Sequence, residues 1–397
     1  MTVEITDAAG QEADPLGDTD TRRALRHAIR QLLEKEAPPE RVRELDEASE
    51  YDHDLHRALG AMGLLALGGP GDLGGTGDVR DQITVVEELA AGPTTVAAMF
   101  ITQYIATQIL SVSRVPEHRD ALEAVMRGDA YVSFALSEAD GGTDVARVMK
   151  TRAARAPDGY VINGEKMWTS AATYASHIVV LARTSPSERS ALDGITTFVV
   201  PRDAPGLTIS TIDTLGLRGL STCILSFSDV FVPEAHVLGA VDAGFRALFP
   251  TLNRERLNSA AALVGVARGA LELSRTYAQE RVAFGRPIGG FQVLQHRLVD
   301  DFVALEEARG LLRRAAAIEA AGGRAEFLAA MAKLSASRAA QAATQDGMQL
   351  LAGAGFSREY PMQRWFRDAR LWTFSPASDE ILRNGLGERM LGLPRSF

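Results

Sequence analysis

The chain of 397 residues holds a single cysteine, Cys223, which excludes an internal disulfide framework and any cysteine-based metal site. Cys223 lies in an apolar alternating run and reads as a small core residue rather than a nucleophile. Positive charge is also scarce. The 42 Lys and Arg stand against 51 Asp and Glu, a formal net charge of −9, which argues against a nucleic-acid partner held on a basic patch. A small anionic ligand is not excluded, because a local Arg cluster can bind one whatever the total. No run reaches the ~18 uninterrupted apolar residues that span a membrane. The first twenty residues are acidic without an apolar core, so no signal peptide is expected, and the terminal Arg-Ser-Phe is not a peroxisomal signal. A cytoplasmic location is the resulting expectation.

Histidines are few and scattered. His53 and His56 are three apart but lack a third ligand or companion carboxylates, and both read as surface polar residues. There is no Gly-x-Ser-x-Gly elbow. Metal and serine-hydrolase chemistry are therefore not expected. Gly69-Pro70-Gly71-Asp72-Leu73-Gly74 has the spacing of a dinucleotide fingerprint, but a helical stretch rather than a buried strand precedes it, so it reads as a loop.

The rest of the chain divides by hydrophobic period. Residues 1–20 form an acidic arm. Over 21–129 apolar residues recur at helical spacing, as in Leu25, Ile29, Leu32 and Leu33, with breaks at Pro38-Pro39, 68–78 and Gly92-Pro93. Over 130–237 the pattern changes to short strands such as 160–162, 178–181, 197–200 and 224–231, which predicts a small sandwich or barrel. Over 238–397 long helices return. Leu294, Leu298, Phe302, Leu305 and Leu312 share one helix face, and Ala-rich stretches at 259–271 and 328–343 permit close packing into a bundle. The predicted fold is mainly α with a central β domain.

Four segments carry chemical interest. Phe134 to Val145 joins a strand to a Gly142-Thr143 turn with hydroxyls and backbone donors, suited to an anionic or heteroaromatic group. Asn163 to Ser170 reads as a hairpin turn at Asn163-Gly164 presenting Trp168, an aromatic that can stack on a flat ring, beside hydroxyl residues. Tyr277 to Gln292 contains Arg281, a forked cation suited to phosphate, and otherwise reads as a helix ending at Phe284-Gly285 before Pro287. Gln349 to Phe356 is rich in small residues that let backbone approach a ligand. Taken singly, each also reads as ordinary structure.

In this order the four segments resemble the acyl-CoA dehydrogenase family, from about residue 21 to the C-terminus. The resemblance implies an N-terminal helical domain, a middle β-barrel or sandwich and a C-terminal helical bundle, with FAD as cofactor. It implies that Phe134, Leu136 and Ser137 run along the flavin ring and that Thr143 lies near the pyrophosphate and the thioester. Trp168 would stack on the ring, with Ser170 near flavin N5. Arg281, Phe284, Gln292, Gln349 and Gly353 would hold the ADP part of FAD from a neighbouring subunit, and Ser378 would stand where the family usually has a Thr near the cofactor. A shared site implies a homo-oligomer, typically a tetramer. An acyl-CoA or acyl-carrier-protein substrate and an electron-transfer flavoprotein complete the implied partners.

The sequence departs from the family in one place. Arg367-Asp-Ala-Arg370 is present, but the loop that usually carries the catalytic Glu reads Ser375-Pro376-Ala377-Ser378, and Pro376 occupies the Glu position. One branch of the family places its base on the first long C-terminal helix. That helix reads Leu252-Asn-Arg-Glu-Arg-Leu257 here, which puts Glu255 on the alternative position. Without the resemblance, a Glu between two Arg reads as a solvated residue with surface ion pairs. Asp379 and Glu380 are further, weaker candidates. The implied reaction is α,β-desaturation, Glu255 taking the α-proton while the β-hydrogen leaves as hydride to flavin N5. Leu248, Phe249 and Leu252 would line the acyl pocket. A flavin monooxygenase on the same fold and a non-catalytic thioester-binding flavoprotein remain as alternatives.

Overall fold

The computed structural model describes residues 18–187 and 189–395, so most of the acidic arm lies outside the described residues. The first helices are α1 (Asp20–Glu36), α2 (Pro39–Ala48), α3 (His53–Ala61), α4 (Val79–Ala90), α5 (Thr94–Leu110) and α6 (Pro116–Arg127). Side-chain oxygens of Thr19, Asp52 and Asp78 accept backbone N–H groups at the starts of α1, α3 and α4. Helix α5 is buried nearly throughout, Thr94, Gln103 and Thr107 included, as suits a helix that is mainly apolar on all sides and carries no charged residue.

The β region comprises β1 (Val132–Ala135), the short α7 (Val145–Val148), β2 (Arg152–Ala156), β3 (Gly159–Ser170), β4 (His177–Arg183), β5 (Ile195–Pro201), β6 (Leu207–Thr211), β7 (Thr222–Pro233) and β8 (Val237–Leu238). These strands form one sheet in the order β6-β7-β3-β2-β4-β5-β8, with β1 parallel to β4. The sheet curls on itself, since Tyr160 of β3 meets Phe198 of β5 at a ring distance of 5.2 Å. Strand alternation then serves two cores. Ile178, Val180 and Ala182 face the sheet's own interior with Cys223, whereas Val179 and Leu181 join the core shared with the helices.

The C-terminal elements are α8 (Gly244–Ala247), α9 (Phe249–Glu280), the two-residue strands β9 (Val282–Ala283) and β10 (Arg286–Pro287), α10 (Gln292–Ala320), α11 (Glu326–Leu351), α12 (Gly353–Phe356), α13 (Met362–Ala369) and α14 (Asp379–Arg389). Helix α9 packs on α4 so closely that a Cβ at Gly265 would stand 2.3 Å from the Glu87 carbonyl oxygen. The same junction buries Glu87 and Glu88, which pair with Arg26 of α1, Arg268 of α9 and Arg309 of α10 at 2.7–3.8 Å. Burying these carboxylates is tolerated because several guanidinium groups share them. No helix among the described residues is long and apolar enough to cross a membrane.

Three local expectations fail. Asn163-Gly164 is not a hairpin turn but a bulge within β3, where the pairing with β7 shifts between Ile162 and Gly164. The β2–β3 hairpin turns before it, at Asp158, with a left-handed φ of 60°. Helix α9 ends at Glu280 rather than at Phe284-Gly285, because those two residues, with φ of 51° and 77°, form the turn of the β9–β10 hairpin. His56 is fully buried and hydrogen-bonds Tyr51 at 2.8 Å, and half-buried His53 meets the Tyr131 hydroxyl at 2.9 Å, so neither is a free surface residue.

Candidate active site

Two segments of the β region converge. The Ser133 hydroxyl donates to the Ser170 carbonyl at 2.8 Å, and the Met167 N–H donates to the Ser137 carbonyl at 2.9 Å. Phe134, Leu136 and Ser137 are therefore held beside Trp168 and Ser170, and each of the first three keeps accessible surface. A second bulge in β3, between Lys166 and Thr169, gives Trp168 a φ of 65° and leaves it 55% exposed. An indole so projected fits a flat aromatic ligand. Thr143 is exposed in the adjoining loop, where Gly141 approaches the Val148 side chain too closely for any Cβ.

A second group forms at the far end of α9. Arg281 caps the helix and is exposed, with no side-chain hydrogen bond or ion pair among the described residues. The β9–β10 hairpin holds Phe284 94% exposed, at 6.0 Å from the Phe291 ring, and Gln292 opens α10 beside it. Gln349 and Gly353 are exposed at the end of α11, and a Cβ on Gly353 would meet nothing within 4 Å. No hydrogen bond, ion pair or ring contact joins this group to the first among the described residues. A free guanidinium, an uncovered phenyl ring and open backbone fit one end of a large phosphate-bearing cofactor.

The third group starts α9. Leu248 is buried in the main core, Phe249 is 48% exposed and 6.2 Å from the Phe245 ring, and Leu252 is partly buried. Glu255 lies one turn on. It keeps some accessible surface, yet surrounding protein desolvates its carboxyl and pushes it up to about 7, with Arg256 pulling the other way. No hydrogen bond or ion pair engages Glu255 among the described residues, unlike Arg254, which lies 3.6 Å from Glu319. The expected surface ion pairs are absent there.

The C-terminal loop is fixed from beneath. The buried Lys333 ammonium donates to the Ala377 carbonyl at 3.0 Å and pairs with Asp379, which also accepts from the Ser337 hydroxyl. Asp379 is thus engaged, Glu380 is exposed beside Arg383, and Pro376 is exposed. Ser378 caps α14 by accepting the Ile381 N–H at 3.3 Å. The Arg367-Asp-Ala-Arg370 helix end joins three parts of the chain. Arg367 reaches the Leu215 carbonyl and Asp46 at 2.7 and 2.6 Å, and Asp368 accepts the Leu217 N–H at 2.7 Å.

Glu138, Lys166 and Asp368 lie within segments that the sequence marks, yet nothing in the sequence gives them a role. Each acts through a partner distant in sequence, so no local signal marked them. The chain matches the family descriptions acyl-CoA dehydrogenase N-terminal domain over residues 19–129, middle domain over 133–230 and C-terminal domain over 242–391. It is 33% identical over 380 residues to the probable acyl-CoA dehydrogenase YngJ of Bacillus subtilis, spanning 94% of this chain and 98% of that protein. Identity to the mitochondrial short-chain specific acyl-CoA dehydrogenase of Homo sapiens is 34%, over 95% and 92% of the two chains. The solved butyryl-CoA dehydrogenase of Megasphaera elsdenii superposes with a TM-score of 0.89 at 30% identity, covering 94% of this chain and 99% of that one. The chain therefore belongs to the FAD-dependent acyl-CoA dehydrogenase family.

Proposed function

We propose that the chain desaturates an acyl thioester between its α and β carbons, with Glu255 as the base that removes the α-proton. The observation that carries this is a desolvated carboxyl, unengaged by any cation at bonding distance among the described residues and pushed up to about 7. An α-proton of a thioester is weakly acidic, and a base poised near the working pH combines availability with proton affinity. Asp379 is a poorer choice because Lys333 and Ser337 already hold it. Phe249 and Leu252, backed by Leu248, offer the apolar wall for the acyl tail.

Phe134, Leu136, Ser137, Trp168 and Ser170 are the residues we assign to the flavin end of FAD, with Thr143 beside the pyrophosphate and the thioester and Ser378 near the cofactor. We assign Arg281, Phe284, Gln292, Gln349 and Gly353 to its ADP end in a neighbouring subunit. When bound, FAD supplies the two-electron acceptor for the β-hydrogen. The exposed Val282, Phe284, Val293, Val299 and Val303 support a homo-oligomer built across this face, a tetramer in our reading. Coenzyme A is the carrier we favour and an electron-transfer flavoprotein the oxidant of the reduced enzyme. We place the working domain boundaries at 129/130 and 237/238. Anaerobic titration of the yellow protein with a panel of saturated acyl-CoAs tests the reading. Bleaching of the flavin supports it, whereas reduction only by a nicotinamide donor points to a monooxygenase.

A further inference from the structure

One buried ammonium ties together the two β segments assigned to the flavin. Lys166 is fully buried, and its Nζ donates to the Leu136 carbonyl at 3.0 Å and to Glu138 Oε1 at 2.9 Å. Glu138 also accepts the backbone N–H groups of Lys150 and Thr151 at 2.6 and 3.0 Å, and the Thr151 hydroxyl donates to the Glu165 carbonyl at 3.1 Å. The cation therefore connects the loop after β1, the lead into β2 and the bulge of β3. Two residues on, Trp168 has its φ of 65°. A bulky residue keeps such a conformation only where its surroundings over-determine it. Without the bulge, strand alternation would turn Trp168 toward the opposite face of the sheet. Stability alone gives little reason to keep this pair, because apolar replacements of buried ion pairs are often neutral or stabilising.

We propose that Lys166 is a positioning residue for the flavin: with Glu138 it locks the Leu136–Ser137 backbone against the bulge and so sets the stance of Trp168 on the ring. The proposal rests on the assignment of these segments to the flavin. Its test uses the full-length, FAD-loaded oligomer carrying Lys166→Met/Glu138→Gln, which removes both charges and leaves neither buried alone. Visible circular dichroism of the flavin, its midpoint potential and stopped-flow reduction are read beside thermal unfolding. The expected result is a protein that melts near the parent and keeps FAD, with altered flavin dichroism and potential. Its reduction should slow by about 10²-fold, the scale of a ~1 Å misplacement, with KM little changed. Parental dichroism, potential and rate in this variant overturn the proposal and leave Lys166 a structural clasp. Should the double variant not fold, Glu138→Gln alone replaces it, since it keeps Lys166 and turns one of the two oxygens that accept backbone N–H groups into a donor. Unchanged flavin dichroism there is equally fatal. A Trp168→Phe control separates the two levels, because parental dichroism in that chain overturns the site assignment itself and the proposal with it.

Discussion

The Lys333 ammonium lies 2.8 Å from the Asp379 carboxylate, and the pair pins the loop that carries Pro376 and Ser378 onto α11. Both side chains are largely buried, at 1% and 11% exposure. Lys333→Met leaves Asp379 without its cation and should cost ~3–5 kcal/mol, the range for breaking a buried pair. Lys333→Met/Asp379→Asn should recover much of that loss. Urea unfolding of the two variants measures both, and a single variant as stable as the parent contradicts the buried-pair account.

Glu255→Gln should retain FAD and bind thioester, yet slow flavin reduction by ~10²–10⁴-fold, the usual worth of a general base. With its carboxyl pushed up to about 7, reduction at low thioester concentration should rise with pH through about 7 and then level. Stability runs the other way. The folded chain keeps this proton to about pH 7 while the unfolded chain releases it near 4.5, so the contribution is complete below that value and lost as pH rises through 7. A variant reduced as fast as the parent ends the assignment of Glu255.

Arg281→Ala should weaken FAD retention by roughly tenfold or more, since a charged hydrogen bond to phosphate contributes ~1.5–3 kcal/mol. Measuring free FAD after dilution and filtration gives the affinity. Parental affinity removes Arg281 from the cofactor site.

Pro376 has no N–H, so on the alignment that the family resemblance implies it would offer no backbone donor to a developing enolate oxygen. Pro376→Gly restores that donor and should leave reduction intact or faster, while Glu255→Gln/Pro376→Glu should regain part of the rate lost in the single Glu255 variant. Stopped-flow traces with the best thioester decide. A tenfold fall in Pro376→Gly would mean that the proline shapes the loop rather than merely lacking a donor.

The sequence by itself determined the succession of helical, β and helical regions, because hydrophobic period is a local property that the chain carries along its length. It also marked the segments containing Trp168, Glu255 and Arg281, since their residue types and order are distinctive. Only the tertiary structure decided what those segments do with their neighbours. Asn163-Gly164 has turn chemistry, yet pairing with β7 on one side and β2 on the other absorbs it as a bulge. Phe284-Gly285 resembles a helix end, yet the Val282–Pro287 pairing makes it a hairpin. His56 gave no sign of burial until Tyr51 closed on it. Glu138, Lys166, Leu217 and Asp368 gain their roles from contacts 28 and 151 residues apart in the chain. Such partners are chosen by how the domains pack, and no window of sequence contains both members of either pair.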